Sequence, residues 1–169
     1  MIRLAWLFSA ASAAVLVAAC GGGDGGSAAL ISSEPIDKYV GNWSNCQATV
    51  VSGVNVSALT SFTAAKIDAT HGSFTTTVTI FATTDCAVVK LSGPTPVPQL
   101  SGSVAIDSPG SGPSGSDRIT ITPSTLPSFK DLALVTGGSQ LQFGDAGSPK
   151  DALGYPTALD SSFILTRQP

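Results

Sequence analysis

The chain has 169 residues, a formal net charge of −3 at pH 7 and only 11% charged residues. Its eight Lys and Arg residues are scattered singly, so the sequence offers no basic face of the kind that binds nucleic acid. Residues 39–169 have the length of one domain. Scarce charge together with abundant Thr and Ser favours a single β domain outside the cytoplasm.

The N-terminus combines one positive charge, Arg3, with an apolar run over residues 4–19. This pattern predicts a secretory signal peptide over residues 1–19, since a membrane-spanning helix needs about 20 apolar residues. The run ends in VAAC (residues 17–20), which resembles the lipobox of bacterial lipoproteins. The resemblance implies that Cys20 is the lipidated N-terminus of the mature protein. An ordinary leader with an incidental cysteine is the alternative.

A stretch rich in Gly and Ser, GGGDGGSAALISSEPIDK, follows the lipidated Cys20. Residues 20–38 therefore read as lipidated cysteine and flexible tether, which spans on the order of 20–25 Å. Two or three acyl chains anchor a protein stably, so the predicted partner is a membrane. Among such lipoproteins an Asp directly after the cysteine favours the inner membrane. Gly21 at that position implies the cell envelope, at the outer membrane of a Gram-negative bacterium.

Two cysteines, Cys46 and Cys86, are left in the domain. In an oxidising compartment an even pair predicts a disulfide. A metal pair and a redox pair are the alternatives, but no His lies near either cysteine in the sequence and the CxxC spacing is absent.

From residue 39 onward the hydrophobic pattern has period two. The segment 73–86 predicts a half-buried strand with Phe74, Val78 and Ile80 on one face. The preceding strand is 61–68, and His71-Gly72 is predicted as the turn between the two.

The next strands follow in order along the chain. Residues 86–91 are predicted to form a strand that ends at the prolines of residues 93–98, which exclude a central strand. Residues 100–107 and 117–122 form a hairpin with a long loop, with Leu100, Val104, Ile106, Ile119 and Ile121 facing inward.

The last strands are 129–136, 139–145 and 161–167, and Gly137-Gly138 is a hairpin turn that tolerates positive φ. With two short strands near residue 43, the count is about eight to ten. This predicts an all-β antiparallel barrel, with a β-sandwich as the alternative. A one-turn helix is allowed at 124–128 or 56–60.

The segment Gly41-Asn42-Trp43 resembles the G-x-W signature of lipocalin-like barrels. The resemblance implies that Trp43 closes one end of the barrel and that a late arginine, Arg167, packs over its indole. The chain is also similar to a group of small proteobacterial lipoproteins with an early YVGxW and two cysteines about 40 residues apart. That similarity implies no particular activity.

Catalytic signatures are sparse. His71 is the only histidine, and no Ser stands in a G-x-S-x-G elbow. Most aspartates fall at predicted strand ends and turns, where they accept backbone hydrogen bonds. We therefore expect no metal and no cofactor. Three hypotheses are carried forward: a non-enzymatic module that binds a small apolar ligand or an envelope protein, a structural module with a filled core, and a carboxylate-based hydrolase.

Overall fold

The computed structural model describes residues 34–51, 53–87 and 97–169. In these ranges eight antiparallel strands form one closed barrel, in which each strand pairs with its sequence neighbours and β8 returns to β1. The predicted all-β antiparallel barrel is therefore confirmed, and the β-sandwich alternative is wrong. The elements are β1 (Gly41–Val51), β2 (Val54–Lys66), β3 (His71–Phe81), β4 (Val97–Ser108), a 3₁₀ turn (Pro113–Gly115), β5 (Asp117–Pro123), β6 (Phe129–Thr136), β7 (Gln140–Gly144) and β8 (Leu159–Arg167).

The predicted signal peptide, Cys20 and most of the predicted tether lie outside the described residues. Residues 34–38, which the tether prediction included, form turns that cap one end of the barrel. Ile36 is 1% exposed and its backbone N–H donates to the carbonyl of Ala69, in the loop between β2 and β3. The part of the body that the structure describes therefore begins at residue 34 and includes this cap.

Side chains alternate between the two sides of each strand, so cross-strand partners share a face. Trp43 pairs with Phe62, and Phe62 pairs with Thr76, which pairs with Leu100. These four side chains form one inward layer. The inward placement predicted for Phe74, Leu100, Val104, Ile106, Ile119 and Ile121 agrees with the interior surfaces that these side chains line.

The two halves of the barrel interior differ. Near the end capped by residues 34–40, which we call the capped end, the interior is filled by a cluster of large apolar side chains. Its fully buried members include Ile36, Trp43, Ile119, Leu141 and Leu165. Toward the opposite end, which we call the far end, apolar side chains surround an open space instead.

The turn between β2 and β3 is displaced from its predicted position. His71 and Gly72 are the first two residues of β3, not a turn. The chain reverses over residues 67–70, because the Asp68 carboxylate accepts the backbone N–H groups of Thr70 and His71, at 2.8 Å each. An aspartate side chain that accepts backbone N–H groups two and three residues further along determines the turn. The turn therefore lies before the position that Gly72 suggests.

Three further local predictions need correction. Residues 56–60 belong to β2, residues 124–126 form bends and residues 127–128 have no regular structure, so neither segment is a helix. β4 begins at Val97 and includes Pro98 near its start, where a strand tolerates proline. Of the strand predicted over residues 86–91, positions 86 and 87 lie in a loop and the others lie outside the described residues.

The barrel closes through a short seam between β1 and β8. The two strands pair at Trp43 with Arg167 and at Ser44 with Thr166. Beyond that point side chains replace the backbone: the Asn45 amide donates to the Ile164 carbonyl at 2.6 Å and the Gln47 amide to the Ser162 carbonyl at 3.0 Å. Elsewhere the neighbouring strands are joined by longer ladders, of 11 pairs for β1 and β2.

Candidate functional site: an apolar cavity with one carboxyl group

A cavity of about 250 Å³ lies in the barrel interior toward the far end. It is bounded by inward side chains of β2 to β7 and is almost entirely apolar. An engineered apolar cavity of about 150 Å³ binds benzene, so this volume suffices for a small apolar molecule, although drug-sized sites begin at about 300 Å³. Its lining consists of Phe62, Phe74, Thr76, Leu100, Val104, Ile119, Ile121, Phe129, Asp131 and Phe143.

Three phenylalanines from three strands form the aromatic wall of the cavity. The ring of Phe62 stacks with that of Phe74 at 5.9 Å between centroids and meets Phe143 edge-on at 5.6 Å. Offset and edge-to-face contacts at these distances stabilise aromatic clusters. The rings therefore hold one another in place, and the wall keeps its shape without a ligand.

Asp131 is the one carboxyl group among the described lining residues. Its Oδ1 accepts the backbone N–H groups of Leu132 at 2.8 Å and Gly144 at 3.0 Å. Burial raises the pKa of Asp131 to about 6, against the lowering effects of those two N–H groups and of the Lys150 charge. Oδ2 accepts no hydrogen bond from the part of the chain that the structure describes.

Gly144 makes room for this carboxyl group. A Cβ at Gly144 would stand 2.3 Å from Asp131 Oδ1 and 2.7 Å from Pro156 Cγ. Glycine at the end of β7 therefore lets the Asp131 carboxylate reach the backbone N–H, which fixes the direction of the side chain. Asp131 lies inside β6 on the inward face, whereas the sequence predicts strand ends and turns for most of the aspartates.

The far end carries exposed apolar side chains. Phe129, 45% exposed, belongs both to the cavity lining and to the surface. Leu126, in the loop between β5 and β6, is exposed at the same end, as are Val50 and Val54 at the tip of the β1–β2 hairpin. The cavity therefore communicates with solvent at an apolar rim.

At the capped end the structure brings Gly41, Trp43 and Arg167 together. The Arg167 guanidinium lies 4.1 Å above the centre of the Trp43 indole. It also donates to the carbonyls of Lys38, Val40 and Gly138, at 2.6, 2.6 and 2.8 Å. These contacts tie the first turns, the first strand and the last strand into one cap.

A charge pair with a fully buried carboxylate supports the same cap. Asp117 has no exposed surface, and its carboxylate contacts the Lys38 ammonium at 2.9 Å and the Tyr39 hydroxyl at 2.9 Å. The Gly110 N–H donates to it at 2.8 Å. Burial, followed by the Asp117 charge, raises the pKa of Tyr39 well above its usual value. With a cation and two donors on it, this carboxylate is part of the scaffold rather than open to a ligand.

The disulfide between Cys46 and Cys86 is present, so that prediction is confirmed. Cys46 points outward from β1, and the chain after β3 folds back over the outside of the barrel to reach it. Ser57 holds this loop, since its hydroxyl donates to the Thr83 carbonyl at 2.6 Å and accepts the Cys86 N–H at 2.9 Å. Phe81 is buried beneath the loop.

The remaining candidate residues do not converge. His71 is exposed, and its Nδ1 lies 2.9 Å from the Asp68 carboxylate in the turn before β3. Within residues 34–51, 53–87 and 97–169, no three His, Cys, Asp or Glu side chains are grouped as a metal ion requires. A carboxylate-based hydrolase needs two acids facing one cleft, and among the described residues Asp131 lines the cavity without a second acid.

A second, larger depression of about 600 Å³ lies on the outer wall, over β3, β4 and β5. It is lined largely by hydroxyl side chains, among them Ser73, Thr75, Ser101, Ser103 and Thr122. This surface is open to solvent and has no charged group, so it lacks the enclosure that a small-molecule site needs. The interior cavity is the better candidate despite its smaller volume.

Comparisons of the chain with protein-family models, with curated proteins and with solved structures found no match. A search of the described residues for a helix long and apolar enough to cross a bilayer found none.

Proposed function

We propose that this chain is a lipid-anchored protein of the bacterial envelope whose β-barrel binds a small apolar molecule without transforming it. The anchor is Cys20, and the tether carries the barrel at the outer membrane. The apolar cavity of about 250 Å³ carries the proposal, because a barrel of purely structural role is expected to fill its interior with side chains.

The barrel interior is filled in one half and hollow in the other, and this division also supports a role in ligand binding. The capped end contains the Arg167–Trp43 stack and the Asp117–Lys38 pair, which stabilise the body. The far end has an aromatic wall and an exposed apolar rim at Phe129. Structural and binding roles are thus separated along the barrel axis.

Native mass spectrometry of the protein purified from its own membrane tests the proposal directly. We expect a co-purifying apolar molecule at one copy per barrel. A variant that fills the cavity, Val104→Phe, should lose it, since Val104 lines the space. Ser103→Val is the matched control, because Ser103 is exposed on the outside of the same strand. Retention of the molecule in Val104→Phe, or its loss in both variants, would contradict binding in the cavity.

A further inference from the structure

From the placement of Asp131 in the cavity we infer that the ligand is an apolar amine, whose ammonium group pairs with Asp131 while its hydrocarbon part fills the space between Phe62, Phe74 and Phe143. This inference rests on the proposed function and specifies the chemical class of its ligand. It concerns the carboxylate oxygen that the described part of the fold leaves without a hydrogen-bond donor.

A ligand that fills the cavity takes the Asp131 carboxylate out of water. A charged group removed from water is stable only when paired or hydrogen-bonded. Oδ1 of Asp131 has two backbone donors, but Oδ2 has none within the described residues. Asp131 is half-buried, so water still reaches its carboxylate in the empty cavity. A ligand that fills the cavity displaces this water. A ligand cation at Oδ2 compensates for the loss, whereas a neutral ligand leaves the charge unpaired.

The charge around Asp131 leaves room for a ligand cation. Lys150, in the loop between β7 and β8, is the cation whose field acts on the carboxylate, and it makes no hydrogen bond with it in the described structure. From β5 the facing residues Ile119 and Ile121 are apolar, and β7 contributes Phe143. No described cation occupies the position that a ligand ammonium would take.

The Asp131 carboxylate discriminates between cationic and anionic head groups. A fatty acid or another anionic amphiphile would bring a second carboxylate to Asp131, and like charges in an apolar site repel strongly. A cation contributes a charge-assisted hydrogen bond, which is roughly twice as strong as a neutral one. The aromatic wall adds attraction for a cation placed over a ring face.

The test uses three probes with one hydrocarbon chain and different head groups: hexylamine, hexanol and hexanoate. Binding is measured by titration calorimetry, and the cavity is identified by NMR shifts of Phe62, Phe74 and Phe143. The full chain carries Cys20→Ser, so that neither lipid nor detergent competes for the cavity. At pH 7.5 we expect hexylamine to bind at least about tenfold more tightly than hexanol, and hexanoate to bind most weakly.

Asp131→Asn keeps the size of the side chain and an oxygen that can accept the two backbone N–H groups, but removes the charge. We expect it to abolish the advantage of the amine while hexanol still binds. Asp68→Asn is the control, because it removes the same charge from an exposed turn at the capped end. It should leave the amine preference within a factor of about two.

The outcomes separate this inference from the proposed function. An equal affinity for amine and alcohol, or an amine advantage that persists in Asp131→Asn, overturns the amine inference and leaves apolar binding intact. An absence of cavity shifts with all three probes overturns both. Loss of the amine advantage in Asp68→Asn would assign the preference to net charge and would also overturn the inference.

Discussion

The backbone of Gly41 has a φ of +128°, a conformation that L-residues with a side chain rarely adopt. A Cβ at this position would also stand 2.8 Å from Nη1 of Arg167. Glycine is therefore required at position 41 for two reasons. The backbone conformation disfavours a side chain, and the Arg167 guanidinium that stacks on Trp43 lies too close for a Cβ.

We expect Gly41→Ala to lower the free energy of unfolding by at least about 3 kcal/mol, measured by urea denaturation. Gly53→Ala is the matched control, because Gly53 has a φ of +79° but no atom within 4 Å of a Cβ. It should cost about 1 kcal/mol. In an Arg167→Ala background the cost of Gly41→Ala should decrease, since the steric conflict is gone. Equal costs for the two glycines would contradict the role assigned to Arg167.

The half-buried Asp131 makes stability depend on pH in an unusual direction. Burial raises its pKa in the folded protein to about 6, above the value of 3.8 for an unperturbed aspartate. The folded state thus binds the proton more tightly than the unfolded state, so stability should increase as the pH falls from about 7.5 to 4.5. The gain is at most about 3 kcal/mol, since two pKa units correspond to that order of free energy.

Denaturation at a series of pH values measures this effect, and Asp131→Asn should remove it. Asp68 acts with the opposite sign, because the Thr70 N–H, followed by His71, lowers its pKa to about 2. The stability that Asp68 contributes is lost only as the pH falls below about 4, outside the window. A flat profile between pH 4.5 and 7.5 in the unaltered protein would mean that Asp131 is hydrated rather than buried.

At the scale of elements, the disulfide fastens the loop after β3 to the outside of β1. The bridge closes a loop with a sequence separation of 40 residues. Loop closure of this length predicts a loss of about 4 kcal/mol when the bridge is removed. Cys46→Ser with Cys86→Ser should show this loss in chemical denaturation. Two thiols that react with iodoacetamide in the native, unreduced protein would contradict the bridge.

The order of the strands was accessible from the sequence because a barrel wall has one apolar and one solvated side. In β3, Phe74 alternates with Thr75, and in β5 Ile119 alternates with Thr120, so period two is visible directly. The turn before β3 was misplaced because Asp68, rather than Gly72, determines it. Local hydrogen bonding by an aspartate side chain leaves no periodic pattern.

The cavity itself was not accessible in the same way. Phe62, Phe74 and Phe143 come from three strands, and no sequence pattern shows that their rings leave a space between them. Asp131 did leave a signal. In FKDLALVT it alternates with Ala133 and Val135, which places it on the inward face of β6, where a carboxylate is unusual.

At the scale of the whole molecule, the anchor and the barrel are separate predictions that can be tested separately. We expect Cys20→Ser to release the protein from the membrane fraction and to abolish labelling by a radioactive fatty acid. The barrel of the released protein should keep its unfolding transition, because Cys20 lies outside the described body that begins at residue 34. Membrane retention of Cys20→Ser would contradict lipidation as the means of anchoring.

The short seam between β1 and β8 has fewer backbone pairs than the other junctions between neighbouring strands, so the wall of the barrel is not uniform. This seam is held together by two backbone pairs and by the side-chain amides of Asn45 and Gln47. Thermal opening should start at this seam. In hydrogen exchange, the amide hydrogen of Ile164, which faces β1, should therefore be replaced by deuterium before that of Leu165, which pairs with Leu141 of β7. The seam is thus the part of the wall expected to open first, and it lies apart from the strands β2 to β7 that bound the cavity.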